Sequence, residues 1–328
     1  MSQRLLVVAP NWLGDAVMAL PALADLRRAH ANASIDVAAR ASIAPLVPLV
    51  PGVDAAVLLD GRHASVAAVK AGRYDAAVLF PNSFNSAWIV RQAGVPERWG
   101  YGSDFRSLLL TRAVVPPTRV HQAAYYQHLT TALGCAPGAL EPRLSVPNDL
   151  RVIGEERLVG AGWDAQTPLV AVAPGAAFGG AKRWPADRFA ATIDGLAKDG
   201  VVSVLIGVGA DARAGAEVLA KVHTGLRPLN LIGGTNLSTL AAVLSHCRGL
   251  VTNDSGAMHF AAAVGVPVTA VFGPTNEHET RPLGPAPAAV VHSATWCRPC
   301  MLRECPLTHA CMTRVEPEAV LAEIRRNL

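Results

Sequence analysis

The sequence predicts an α/β protein of two doubly wound domains facing a central cleft, and three observations carry that prediction. Short apolar runs alternate with helical patterns; the alternation breaks once, in a Pro-containing, charged stretch at 141–168; and 328 residues correspond to roughly two domains of about 150 residues each. Hydrophobic residues make up 51% of the chain and charged residues 16%, which excludes a disordered chain or a coiled coil as the main state. Lys and Arg number 29 against 25 Asp and Glu, a formal charge of +4. That excess is too small for a dedicated nucleic-acid binder and is compatible with anionic small molecules or an acidic membrane surface.

The elements follow in order. RLLVVA (4–9) is an apolar run that breaks at Pro10-Asn11, and Val17, Leu20, Leu23 and Leu26 behind it recur at helical spacing. SIDVAAR (34–40), DAAVLL (54–59) and YDAAVLF (74–80) read as buried strands, and strands alternating with helices imply a parallel sheet with right-handed crossovers. After the break, PLVAVA (168–173) opens the scheme again. Pro185 stands where a helix would begin, Phe189, Ile193 and Leu196 share a face, and Gly200 follows as a stop. VVSVLIG (201–207), LNLIG (229–233), a helix over 237–247, RGLVTN (248–253) and VPVTAVFG (266–273) complete the second half. Domains are therefore expected at 1–160 and 161–315. The amphipathic segment 316–328, with Val320, Leu321 and Ile324 apolar, is a terminal helix for which packing back on the first domain is open.

In the amino-terminal segment Asp15 interrupts the apolar run and no small-residue cleavage site follows a basic leader, so a secretory signal is not expected. No window reaches the roughly 18 apolar residues of a membrane span. The expectation is a cytoplasmic protein. Cys297, Cys300, Cys305 and Cys311 crowd into one segment with His309; C-x2-C is half of a zinc pattern, but the remaining spacings match no standard second half. Reduced thiols are the expectation there, with a structural metal and then redox-formed disulfides as the alternatives.

Ligands of doubly wound sheets bind outside the carboxyl ends of the strands, which singles out three loops. Asn11-Trp12-Leu13-Gly14-Asp15 follows the first strand, and Asp15 fits either a helix cap or a general base. PGAAFGGAKRWP (174–185) joins glycines, Lys182 and a helix start, the ingredients of an anion site, although it is neither a Walker A motif nor GxGxxG. TNDSGAMH (252–259) places Ser255, Gly256 and Ala257 at another helix start, framed by Asp254 and His259. Arg98, Arg106, Arg112 and Arg119 form a basic stretch that fits an acidic acceptor or a solvated face.

NWLGDAVMALPAL, PGAAFGGAKRWP and TNDSGAMHFAAAVGVPVTAVFGPT, in this order over nearly the whole chain, resemble the lipopolysaccharide heptosyltransferases. AKRWP and CRPCMLREC favour the branch that adds the second heptose over the branch that adds the first. The resemblance implies a GT-B fold with the acceptor on the amino-terminal domain and the ADP-sugar on the carboxyl-terminal one. It implies inverting transfer from ADP-heptose to an inner-core heptose of lipopolysaccharide, with no cofactor, metal or nucleic acid, in the cytoplasm with peripheral contact at the inner membrane. By this likeness Asp15 is the base, Lys182 the diphosphate lysine, and Asp254, Ser255, Gly256, Ala257 and His259 the nucleotide-sugar loop. Thr235 falls near the adenine and Asp211 near the ribose by weaker correspondence, with Asn11, Arg98, Arg106 and Arg119 toward the acceptor. One departure is Ala177-Phe178, where relatives often carry hydroxyl residues ahead of the lysine. Transfer to another surface glycan, a sugar-nucleotide epimerase and a non-catalytic nucleotide-binding protein remain alternatives.

Overall fold

The computed structural model describes residues 3–328. Its contacts divide the chain into two compact units, one ending at Ser145 and the other spanning Val146–Leu328. In the first, β1 (Arg4–Val8), β2 (Ser34–Ala39), β3 (Ala55–Leu58), β4 (Ala76–Leu79), β5 (Glu97–Tyr101) and β6 (Arg112–Val114) form a sheet of order β3-β2-β1-β4-β5-β6. Every pairing is parallel. The helices are α1 (Leu13–Met18), α2 (Leu20–Ala29), α3 (Arg62–Ala71), α4 (Phe84–Gln92) and α5 (Gln122–Ala132). Leu6, Val8, Ala77 and Leu79 of the central strands pack against Ile89 and Val90 of α4. The chain direction of assembly reverses between β1 and β4, so the loops leaving these strands flank the switch point.

The second unit repeats this plan. Strands β7 (Leu169–Ala173), β8 (Val202–Leu205), β9 (Leu229–Asn230), β10 (Cys247–Asn253), β11 (Val268–Phe272) and β12 (Ala288–His292) pair in parallel in the order β12-β11-β10-β7-β8-β9. Its helices are α6 (Asn148–Gly160), α7 (Ala186–Lys198), α8 (Ala212–Leu219), α9 (Leu237–Leu244), α10 (Gly256–Val264), α11 (Glu277–Thr280), α12 (Ala310–Thr313) and α13 (Pro317–Arg325). The switch point lies between β7 and β10, and Val170, Val172, Val251, Phe189 and Ile193 fill the core around it. No helix among the described residues is long and apolar enough to cross a membrane.

One placement differs from the sequence reading, and another is one that the sequence leaves open. The division falls at Ser145, ahead of the expected 160, because α6 joins the second unit: Gly154 lies so close to the main chain of Ala242 in α9 that a Cβ would overlap it, and Arg157 donates to the Gly234 carbonyl. Helix α13, whose packing the sequence leaves open, lies within the second unit. Val320, Leu321 and Ile324 are buried in the core with Phe189 and Leu196 of α7, which removes the helix's apolar face from water.

Candidate active site

Each unit brings one set of the expected residues to its own switch point. In the first, Trp12 is the N-cap of α1, in an extended conformation and without a side-chain cap bond, and Asp15 is the third helical residue. Asp15 is therefore not the N-cap. Its carboxylate Oδ1 accepts a hydrogen bond from the Tyr126 hydroxyl of α5 at 3.2 Å. Tyr126 is buried, edge-on to Phe80 and to Tyr125. Burial first, and the charge of Asp15 second, push the Tyr126 phenol well above its ordinary range. It stays protonated at any working pH and holds the carboxylate in place. Asn11 and Trp12 are exposed on the same loop.

Three arginines of the basic stretch, Arg98, Arg106 and Arg112, donate to main-chain carbonyls. Arg106 is fully buried, and its guanidinium binds the carbonyls of Tyr101, Pro81 and Ser83, the Ser86 hydroxyl and Asn82 Oδ1. It organises the loop that leaves β4 at the switch point, and it has no free face for a ligand. Burial lowers its guanidinium to about 10, so it remains charged at neutral pH. Arg98 donates to the carbonyls of Val95, Pro96 and Leu109, and Arg112 to those of Ala132 and Leu133 at the end of α5. Main-chain carbonyls at strand and helix ends lack partners of their own, so a nearby guanidinium is recruited to them. Arg119 is exposed, with a left-handed backbone, φ 57°, and Arg112 is exposed as well.

In the second unit, the loop after β7 and the loop after β10 are stapled together. The fully buried Asn253 accepts from the Trp184 main-chain N–H at 2.9 Å and donates to the carbonyls of Pro174 and Gly175. Lys182 Nζ lies 2.6 Å from Asp254 Oδ2, which also accepts from the Thr275 hydroxyl at 2.6 Å. The lysine and aspartate side chains are 13% and 5% exposed, so the pair is shielded from bulk water. Beside it, Ser255 caps α10, and Ser255, Gly256 and Ala257 are partly exposed. The first-turn N–H groups of a helix have no intrahelical acceptor and carry the positive end of its dipole. His259 is buried one turn into α10.

Asp211 lies at the ends of β7 and β8, where its carboxylate accepts from the Val208 N–H at 3.0 Å and packs against Gly175 and Gly207. Thr235 is in the turn between β9 and α9, one residue ahead of the N-cap Asn236. The cysteine segment runs over these loops. All six cysteines are free thiols, and Cys297, Cys300, Cys305 and Cys311 line one cavity of about 220 Å³ with His309. Among the described residues no three His, Cys, Asp or Glu side chains are placed to hold a metal ion. Burial, followed by the neighbouring thiols, raises Cys311 above the ordinary thiol range, which keeps it protonated. Sequence reasoning missed Tyr126, Asn253 and Thr275, each an unremarkable polar residue whose role appears only when distant loops meet.

The pattern of glycosyltransferase family 9 (heptosyltransferase) matches residues 62–311. Lipopolysaccharide heptosyltransferase 2 of Salmonella typhimurium is 33% identical over 302 residues, covering 85% of each chain, and its Escherichia coli counterpart is 32% identical over 301 residues, again with 85% of each covered. The solved structure of E. coli ADP-heptose lps heptosyltransferase II superposes with a TM-score of 0.87 at 31% identity, covering 99% of this chain and 98% of that one. The fold class expected from the sequence, α/β with two doubly wound sheets of the GT-B kind, is the one observed. The chain belongs to glycosyltransferase family 9, the heptosyltransferases, and is a glycosyltransferase.

Proposed function

We propose that this enzyme transfers heptose from ADP-heptose to an inner-core heptose of lipopolysaccharide, with inversion at the anomeric carbon. The observation that carries the donor half is the buried Lys182–Asp254–Thr275 cluster beside the first turn of α10, at the switch point of the second sheet. Cations and helix N-termini at such points are suited to phosphate. In this reading Lys182 and the N–H groups at Ser255, Gly256 and Ala257 receive the negative charge that grows on the departing diphosphate, while Asp211 and Thr235 lie toward the ribose and adenine. One well-placed donor to developing charge is worth about 3–4 kcal/mol. His259 supports the loop from within α10, and Asp254 fixes the lysine.

Asp15 is the base. Its carboxylate takes the proton of the acceptor hydroxyl as that oxygen bonds to the anomeric carbon; the bond from that carbon to the diphosphate oxygen breaks on the opposite face, ADP leaves with the electron pair, and Asp15 returns the proton to solvent. Tyr126 orients the carboxylate. Among the residues expected at the acceptor, Asn11 and Arg119 keep that role, since both are exposed, whereas Arg98 and Arg106 are committed to the main chain. The acceptor class is supported by the heptosyltransferase 2 relatives, which are named for lipopolysaccharide, and the donor by the E. coli heptosyltransferase II structure, which is named for ADP-heptose.

The test is ADP release from ADP-heptose with and without a lipopolysaccharide core truncated after its first heptose, with mass spectrometry of the acceptor. Coupled release and a one-heptose mass gain are expected, and Asp15→Asn should abolish both while ADP still binds. ADP-heptose binding without transfer to this core would overturn the acceptor assignment.

A further inference from the structure

Lys182 does not act alone at this loop: Asp254 lies 2.6 Å away and offsets part of its charge. A diphosphate carries more negative charge than one partly neutralised lysine balances, and the cysteine segment brings a second cation, Arg303, to the same loop. Arg303 lies with its guanidinium 5.4 Å from the centre of the Phe178 ring, the same ring over which Lys182 Nζ sits at 4.7 Å. Both cations thus flank one aromatic side chain of the 174–185 loop. Arg303 is exposed, and among the described residues it has no carboxylate at ion-pair distance; its neighbour Glu304 is occupied by the Gly180 N–H at 2.8 Å.

The position of Arg303 is fixed by its own main chain. The Ala181 N–H donates to the Arg303 carbonyl at 2.9 Å, and Gly179, with φ 155°, lies so near that carbonyl that a Cβ would strike it. His309 Nε2 is 2.7 Å from the Ala181 carbonyl, and the Met301 N–H donates to the Pro274 carbonyl at 2.9 Å, next to Thr275. The segment is therefore a strap laid across the loop that carries Lys182, and residue 303 is held in one register against it.

We infer that Arg303 is a second phosphate-binding cation of the donor site, contributing the net charge that the Lys182–Asp254 pair does not. The inference rests on the ADP-sugar reading above. The experiment measures ADP binding by calorimetry to the full-length protein, to Arg303→Gln and to Arg303→Lys, at low and at high salt. Arg303→Gln leaves the main-chain contacts to Gly179 and Ala181 in place, so its thermal unfolding should match that of the parent. ADP should bind about tenfold more weakly to it at low salt, the scale of one charge-assisted contact, and Arg303→Lys should recover part of the loss. The difference should shrink toward 1 M salt, where charges are screened beyond about 3 Å. Equal ADP affinity of parent and Arg303→Gln at low salt would overturn the assignment of Arg303 alone, whereas failure of the parent to bind ADP would overturn the donor reading and Arg303 with it.

Discussion

Replacing Asp254 by Asn tests whether the cluster at the second switch point is held by charge. The aspartate is 5% exposed and Lys182 13%, so the ammonium left behind regains little water. Removing one partner of a buried ion pair costs about 3–5 kcal/mol. The amide can still accept from the Thr275 hydroxyl, and the lysine keeps a little solvent, which places Asp254→Asn near the lower end, about 3 kcal/mol. For a unit the size of Val146–Leu328 each kcal/mol moves the melting midpoint by about 2–4 °C, so a drop of roughly 6–12 °C is expected. Differential scanning calorimetry without nucleotide reads it directly. Adding Lys182→Met to the variant removes the orphaned charge and should restore more than half of the loss. ADP should protect Asp254→Asn more than the parent, since phosphate replaces the missing carboxylate as the partner of the lysine. A midpoint drop below about 2 °C, or no recovery in the double variant, would refute the view that the pair organises the loops.

Three further outcomes are expected. Tyr126→Phe removes the donor to Asp15 and should lower kcat about tenfold, the lower range for a hydrogen bond to a charged group, with the KM for donor unchanged; unaltered kcat would remove Tyr126 from the positioning of the base. Gly154→Ala drives a methyl group into the main chain of Ala242 and should destabilise the second unit by about 1–3 kcal/mol, seen in its calorimetric transition; a shift in the first unit's transition instead would contradict the assignment of α6. Ile324→Ala empties a fully buried site beside α7 and β10 and should lower the same transition by about 3 kcal/mol, and a change under about 1 kcal/mol would show that α13 is not part of that core.

The central strands were legible because a strand covered on both faces must be apolar throughout: residues 4–9, 34–40, 74–80 and 168–173 each contain an observed strand. Three strands were harder to read. β5, β6 and β12 escaped the sequence reading; Glu97, Arg98 and Arg112 interrupt the apolar run in β5 and β6, and β12 is a short, half-exposed strand. The loops at the strand ends were legible too, because their glycines, helix starts and single charges are local patterns, and these brought Asp15, Lys182 and Asp254 to notice. What each charge touches is not local. The sequence spaces Lys182 from Asp254 by 72 residues and Asp15 from Tyr126 by 111, and no short-range signal announces either partner. The same holds for the basic stretch: an arginine's charge is written in the sequence, but whether its guanidinium meets a ligand, water or the carbonyls around Pro81 depends on which backbone groups the fold leaves without partners. Hydrophobic period and turn chemistry, both local, are enough to specify two parallel sheets and the loops at their switch points. Which charges are already paired emerges with the packed fold, because pairing depends on distances between segments far apart along the chain, and packing sets those distances.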